Sequence, residues 1–104
     1  FLPSLEITRK VSAVFKAEGI DACFHYYDNN WHYVRKWQHL LEAKSLFPLS
    51  NELKKGLNRL KLQDFKQSDD YIGRNLSCLI KLSWVEEDVK VRAVKMAQII
   101  KNSI

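Results

Sequence analysis

The residues best suited to chemistry are concentrated in one segment, His25-Tyr26-Tyr27-Asp28-Asn29-Asn30-Trp31-His32-Tyr33-Val34-Arg35-Lys36-Trp37. Hydrogen-bonding aromatics, amides and cations meet there, where a predicted strand ends and a predicted helix begins. Such loops commonly present ligand-binding groups from a rigid scaffold. The alternative is that Tyr26, Tyr33 and Trp37 belong to the core while Arg35 and Lys36 are solvated. The concentration of polar groups favours a binding segment.

Metal and covalent chemistry have weaker support in the same stretch. His25, His32 and His39 are seven residues apart, and none has the short spacing typical of metal-ligand pairs. Cys23 and His25 would share a strand face about 6–7 Å apart, which is too far for a nucleophile and its base. The three glycines form no phosphate-binding loop. We expect neither a metal site nor catalysis by this chain alone.

The composition indicates a single cytoplasmic domain covering residues 1–104. A chain of 104 residues, 46% of them hydrophobic, can bury one core. Cys23 and Cys78 lie in apolar stretches and indicate buried thiols in a reducing compartment. No apolar run approaches the roughly 20 residues of a membrane span, so no membrane partner is expected. Because the chain begins at Phe1, we expect it to be part of a longer polypeptide.

Two other functions remain open at this point. The net charge of +5 suggests a nucleic-acid-binding module, with Trp31, Tyr33, Arg35, Lys36 and Trp37 stacking on bases amid cations. Elsewhere Lys and Arg are scattered among acids, so nucleic acid is not the preferred partner. The second alternative is a protein-interaction domain that uses an exposed apolar face.

The first half of the chain predicts a helix followed by a strand. Ser4 is the expected N-cap of a helix that runs to Glu18, and Gly19 ends it. The buried stripe of this helix would comprise Ile7, Val11, Val14 and Phe15. The next eight residues, 20–27, alternate with period two and predict a strand. One of its faces would comprise Ile20, Ala22, Phe24 and Tyr26, and the other Asp21, Cys23, His25 and Tyr27.

The second half predicts three further helices and a second strand. One helix is expected over residues 31–44, a short one over residues 51–60, and another from the capped turn at Ser68 to Gly73. Residues 75–83 predict a strand whose inward side chains are Leu76, Cys78, Ile80 and Leu82. Ser83 and Glu86 form a predicted capping box. The last helix has an apolar stripe of Val89, Ala93, Met96, Ala97, Ile100 and Ile104. The expected architecture is a two-layer α/β sandwich, a short sheet covered by helices.

Two segments in this order resemble a known family. The first has Ala17-Glu18-Gly19-Ile20 at the helix end, followed by the strand pair His25-Tyr26. The second runs from Ser68 to Ser77 and continues in Ser83-Trp84-Val85-Glu86-Glu87. Together they resemble the C-terminal small domain of the DegT/DnrJ/EryC1/StrS family, fold-type I aminotransferases that use pyridoxal phosphate to aminate keto sugars.

The chain departs from the family pattern in two places. Tyr27-Asp28-Asn29-Asn30-Trp31-His32 stands where a Pro-rich loop is usual, and Cys78-Leu79-Ile80-Lys81 stands where Leu-Pro is usual. These departures point to a divergent branch, such as aminotransferases acting on octulosonic acid sugars of lipopolysaccharide.

The resemblance implies different roles for two domains of one enzyme. The cofactor-binding lysine and the phosphate site would lie in a large domain of the same polypeptide, so this chain alone would hold no cofactor. The small domain would close the cleft over the keto sugar and the amino-acid donor, in a homodimeric parent enzyme. Arg35 or Arg74 would pair with a carboxylate or phosphate. The substrate-facing residues would be His25, Tyr26, Asn29, Asn30, Trp31 and His32.

Overall fold

The computed structural model describes residues 1–29, 31–62 and 65–104. Helices form more than half of this part, and the strands form a small antiparallel pair, so the prediction of a small mixed α/β domain is confirmed. In chain order the elements are α1 Leu5–Ala17, β1 Cys23–Phe24, a 3₁₀ turn Val34–Lys36, α2 Gln38–Leu41, α3 Asn51–Leu62, α4 Lys66–Gly73, β2 Ser77–Cys78 and α5 Glu86–Ser103. Among the described helices none combines the length and apolar character needed to cross a bilayer.

Helix α1 forms as its sequence predicts. The Ser4 hydroxyl accepts a hydrogen bond from the Ile7 N–H at 3.2 Å, which satisfies one of the free donors of the first turn. Val11 and Phe15 are buried, and Ile7 and Val14 pack against the same core. Gly19 follows with φ +72°, a left-handed conformation that glycine adopts without steric cost. The predicted N-cap, buried stripe and end of this helix are confirmed.

The hydrophobic core lies between α1 and α5, and the prediction of a two-layer sandwich built on a sheet is wrong in this respect. Its buried residues are Leu2, Val11, Phe15, Ile20 and Ile99. From the strands only Cys23 contributes to it, as a partly buried side chain. A two-residue strand pair offers too little apolar surface to form a layer, so the core depends on helix packing.

Both strands are much shorter than predicted. Ala22 has φ +55°, which takes the chain out of the extended region just before β1, and a turn closed by the Asp28 N–H and the His25 carbonyl follows β1 directly. With so little of β1 to pair with, β2 ends at Cys78. The predicted inward positions of β2 are therefore wrong beyond Leu76, because Cys78, Ile80 and Leu82 are exposed.

The last helix begins and packs differently from the prediction. Val85 is its N-cap, and the Asp88 carboxylate accepts the Val85 N–H at 3.1 Å, so Ser83 is not the capping residue. The side chains that meet the core are Met96, Ile99 and Ile100, whereas the predicted stripe positions Val89, Ala93, Ala97 and Ile104 are exposed. The buried residues of α5 are Ile99 and Ser103, so its core-facing side is turned around the helix axis relative to the predicted stripe.

The middle of the chain is less regular than predicted. The single helix expected over residues 31–44 is divided into the 3₁₀ turn and α2, because Tyr33 is extended and Trp37 has non-helical backbone angles. Helix α3 confirms the short helix expected from Asn51, and it packs against α2. Helix α4 begins at Lys66, earlier than the predicted cap at Ser68, and ends at Gly73 as predicted.

Candidate functional site

The predicted binding segment begins where β1 ends and crosses over α4. Asp28 N–H donates to the His25 carbonyl at 3.2 Å, which forms the turn. The Asn29 side-chain oxygen then accepts the Trp31 N–H at 3.1 Å and holds the next bend. Asn30, one of the predicted substrate-facing residues, lies outside the described residues. The segment is therefore a compact loop held by its own amides and carboxylate.

His25 is fixed at the base of this loop. Its ring is buried, with Nε2 2.9 Å from the Gly73 carbonyl oxygen and Nδ1 3.1 Å from Asp28 Oδ2. The Gly73 carbonyl can only accept, so Nε2 is the donor in that contact. Since neither nitrogen is free in this structure, His25 joins β1 to the end of α4.

Asp28 extends the same network to α1. Arg9 donates to both of its carboxylate oxygens, at 2.8 and 2.7 Å, in the bidentate geometry typical of strong guanidinium–carboxylate pairs. The hydrogen bond from Arg9 is the main reason that the pKa of Asp28 is lowered, and the His25 ring lowers it further. Arg9, Asp28 and Gly73 were not among the predicted site residues. Asp28 was named only as a member of the binding segment.

The exposed side of the loop is an aromatic cluster formed by Phe24, Tyr26, Trp31 and His32. Tyr26 lies 6.1 Å from Phe24 in a stacked arrangement and 4.6 Å from His32 edge to face. Trp31 lies 5.8 Å from Phe24 and is 59% exposed. Three predicted substrate-facing residues, Tyr26, Trp31 and His32, are thus brought together. Ring faces and edges of this kind stack on flat or apolar ligand surfaces.

A second group anchors the loop to α4. Tyr33 is buried and its hydroxyl donates to Asp69. Burial is the main cause that raises the pKa of Tyr33, and the Asp69 hydrogen bond adds to it. Arg35 Nε lies 2.8 Å from the same carboxylate, but off the direction of a hydrogen bond, so the contact is an ion pair. Asp69 therefore holds both side chains in place.

Both predicted anion-binding arginines already have carboxylate partners. Arg35 is paired with Asp69, and its guanidinium also lies over the Phe65 ring at 5.1 Å. Arg74 donates to both oxygens of Asp70, at 3.0 and 2.7 Å. A substrate carboxylate or phosphate would have to displace one of these acids. The sequence feature that could have indicated these ion pairs is the neighbouring acidic residues Asp69 and Asp70 on α4.

The polar groups of the site lie beside the aromatic cluster and at the base of the loop. His32 and Asn29 offer polar atoms beside the aromatic cluster, while the buried His25 is committed to its two partners. Within residues 1–29, 31–62 and 65–104 no group of three metal-ligating side chains is found. The residues of the alternative nucleic-acid surface do not form one exposed patch, because Tyr33 is buried while Trp31 is exposed.

Comparison with models of known protein families finds no match for this chain. The resemblance to the sugar aminotransferases therefore stays a prediction from the sequence motifs.

Proposed function

We propose that this chain is the C-terminal small domain of a pyridoxal-phosphate-dependent aminotransferase that acts on a keto sugar. In this role it closes one side of a cleft whose other side belongs to a large domain of the same polypeptide. The proposal extends to nucleotide-sugar or lipopolysaccharide-sugar biosynthesis in the cytoplasm, and to a homodimeric parent enzyme. One observation supports it most: apolar positions that the sequence pattern assigns to a buried face are uncovered.

The uncovered face begins after β2 and continues along α5. Ile80 and Leu82, on the predicted inward side of the second strand, are 83% and 103% exposed. Further exposed apolar side chains follow in sequence, namely Val85, Val89, Val91 and Val94. We call residues 79–94 the uncovered face. Exposed apolar side chains in such numbers favour an interface, because they gain free energy when they leave water.

The amount of exposed surface also fits a missing neighbour. The accessible area of the chain is 7901 Å², whereas a compact monomer of 12.2 kDa is expected to expose about 6,100 Å². The excess of about 1,800 Å² exceeds the ~800 Å² that each partner buries in a standard interface. The radius of gyration is 18.2 Å, against about 13 Å for a globular domain of this length.

The exposure of the described lysines supports a cofactor site in the large domain. A Schiff-base lysine must reach a sheltered pocket, but the lysines with described side chains are exposed, apart from Lys36, which lies 5.0 Å over the Tyr27 ring. In the proposed enzyme the cofactor would therefore be held by the large domain and supply the electron sink for transamination. The contribution of this chain would be to orient the sugar through Tyr26, Trp31 and His32 and to exclude water.

The experiment determines the gene sequence upstream of the codon for Phe1 and expresses any coding region found there together with this chain. We expect it to encode a large α/β domain with a Schiff-base lysine, and the longer protein to show pyridoxal phosphate absorbance and amino transfer to keto sugars. Leu82→Lys should impair this longer protein because it charges the uncovered face. The matched control is Leu46→Lys, since Leu46 is 98% exposed and lies outside that face. An upstream region without such a domain would contradict the proposal.

The uncovered face also favours a second candidate, a protein-interaction domain whose partner is a separate polypeptide. This candidate predicts the same sensitivity to Leu82→Lys but no effect of the upstream region. Fusion of the upstream region to the chain distinguishes the two, because only the aminotransferase proposal requires it for a stable, soluble protein.

A further inference from the structure

Cys23 and Cys78 stand directly opposite each other in the two-stranded ladder. The register pairs Cys23 with Cys78 and Phe24 with Ser77. The Leu79 N–H donates to the Ala22 carbonyl at 2.9 Å, which makes the neighbouring pair a hydrogen-bonded one. Because the two kinds of pair alternate along an antiparallel ladder, Cys23 and Cys78 form a non-hydrogen-bonded pair.

That position is suited to a covalent link between the sulfurs. Non-hydrogen-bonded pairs bring Cα atoms to about 4.5 Å and their side chains close together, and disulfides span Cα separations of about 4.4–6.8 Å. Both cysteines are free thiols, Cys23 half-buried and Cys78 exposed. An oxidant can therefore reach the pair from solvent.

The electrostatic surroundings distinguish the two sulfurs. The Arg92 guanidinium nitrogen Nη2 lies 3.7 Å from Cys23 Sγ, and a thiolate accepts from a cation more strongly than a thiol does. The pKa of Cys78 is raised to about 12, first by burial of its sulfur and then by the hydrogen bond to Cys23. The cation beside Cys23 therefore favours Cys23 as the attacking sulfur.

We propose that Cys23 and Cys78 form a reversible thiol–disulfide site that takes a low-molecular-weight disulfide, of the glutathione type, as its oxidant. The Cys23 thiolate attacks one sulfur of the oxidant, its S–S bond breaks, and one thiol leaves. The Cys78 sulfur, deprotonated as it reacts, then attacks Cys23 in the mixed disulfide, and the second thiol leaves. Two protein thiols are oxidised and one small disulfide is reduced to two thiols, so atoms and electrons balance.

The link would act on the base of the aromatic loop. It would join β1, which leads directly into His25, to β2, which follows α4. Since His25 already bonds Gly73 at the end of α4, the disulfide and the histidine would hold the same two elements together. This inference rests on the strand register and does not depend on the proposed aminotransferase role.

The test equilibrates the full 104-residue chain with graded ratios of reduced to oxidised glutathione, in native buffer and in concentrated urea. After acid quenching and alkylation, mass spectrometry reports free thiols, mixed disulfides and the intramolecular disulfide. We expect the native chain to lose two thiols together and to form the Cys23–Cys78 link. At half-oxidation, the ratio of reduced to oxidised glutathione should be roughly tenfold or more higher for the native chain than for the unfolded chain.

Two variants sharpen the result. Cys78→Ser should accumulate a mixed disulfide at Cys23, because the second thiol is absent. Cys78→Ser combined with Ser77→Cys keeps two thiols but turns one to the opposite side of the strand, so the intramolecular link should be lost. Equal oxidation of native and unfolded wild-type chains would overturn the proposal, and so would equal oxidation of wild type and the shifted-thiol variant.

Discussion

Replacement of His25 by alanine tests whether this histidine supports the loop. In the structure its Nε2–H bonds the buried Gly73 carbonyl at 2.9 Å, and its Nδ1 faces Asp28 at 3.1 Å. The variant His25→Ala loses one hydrogen bond and leaves the carbonyl without a partner, which together cost about 2–3 kcal/mol of unfolding free energy. For a domain of this size, each kcal/mol lowers the melting temperature by roughly 4–8 °C.

The matched control is His32→Ala. His32 is exposed and its described ring contacts are edge-to-face contacts with Tyr26 and Trp31, so its removal should change stability by less than about 0.5 kcal/mol. Urea denaturation followed by circular dichroism measures both variants without ligand. If His25→Ala unfolds at the same urea concentration as His32→Ala, the assignment of His25 as a structural support is wrong.

Three further predictions concern the elements around the loop. Gly19→Ala places a side chain at φ +72°, so it should lower the free energy of unfolding by about 1 kcal/mol. Gly56→Ala inside α3 should be neutral or stabilising. Equal melting temperatures of the two variants would contradict this expectation. Phe15→Ala should cost about 3–5 kcal/mol in calorimetry because Phe15 is fully buried, and a cost below 1 kcal/mol would refute the core described above. Asp28, whose pKa is lowered chiefly by Arg9, stabilises the fold above its unfolded pKa near 3.9, and this stabilisation is lost as pH falls through the lower folded value. Melting curves of Asp28→Asn should therefore depend less on pH below about 5 than those of wild type, and parallel pH profiles would contradict the pair.

The sequence was sufficient to predict elements whose stabilising interactions are local. Helix α1 has a cap, a periodic stripe and a terminating glycine within 16 residues, so Ser4, Val11 and Gly19 were each assigned correctly. For the site, the sequence predicted only the segment that contains it. Its aromatic character was visible in sequence, but the partner Asp69 reaches Tyr33 and Arg35 from α4, more than 30 residues away. Such contacts depend on tertiary packing, which local spacing does not encode.

The strand predictions failed for a different reason. Alternation over residues 20–27 and 75–83 predicted two long strands, yet the positive φ of Ala22 and the turn at Asp28 limit the ladder to two residues per strand. A period-two pattern reports which side chains favour one face, and it does not report whether a partner strand is present. The same holds for α5, where the stripe at Val89 and Ala93 has no neighbouring element to cover it.

Most errors in predicted burial have the same sign, and several of them lie between Ile80 and Ala93. From Ile80 to Ala93 the pattern expects burial where the chain is exposed, whereas the predicted stripe of α1 lies against the core. The apolar positions of a sequence are adapted to every surface that packs against them. A single chain can bury only the positions that its own helices and strands cover. Errors of the opposite sign are fewer; for example, Thr8 and Ile99 are buried, although neither belongs to a predicted stripe. The surplus of exposed apolar positions is the pattern that the proposed contact with a surface outside this chain would produce.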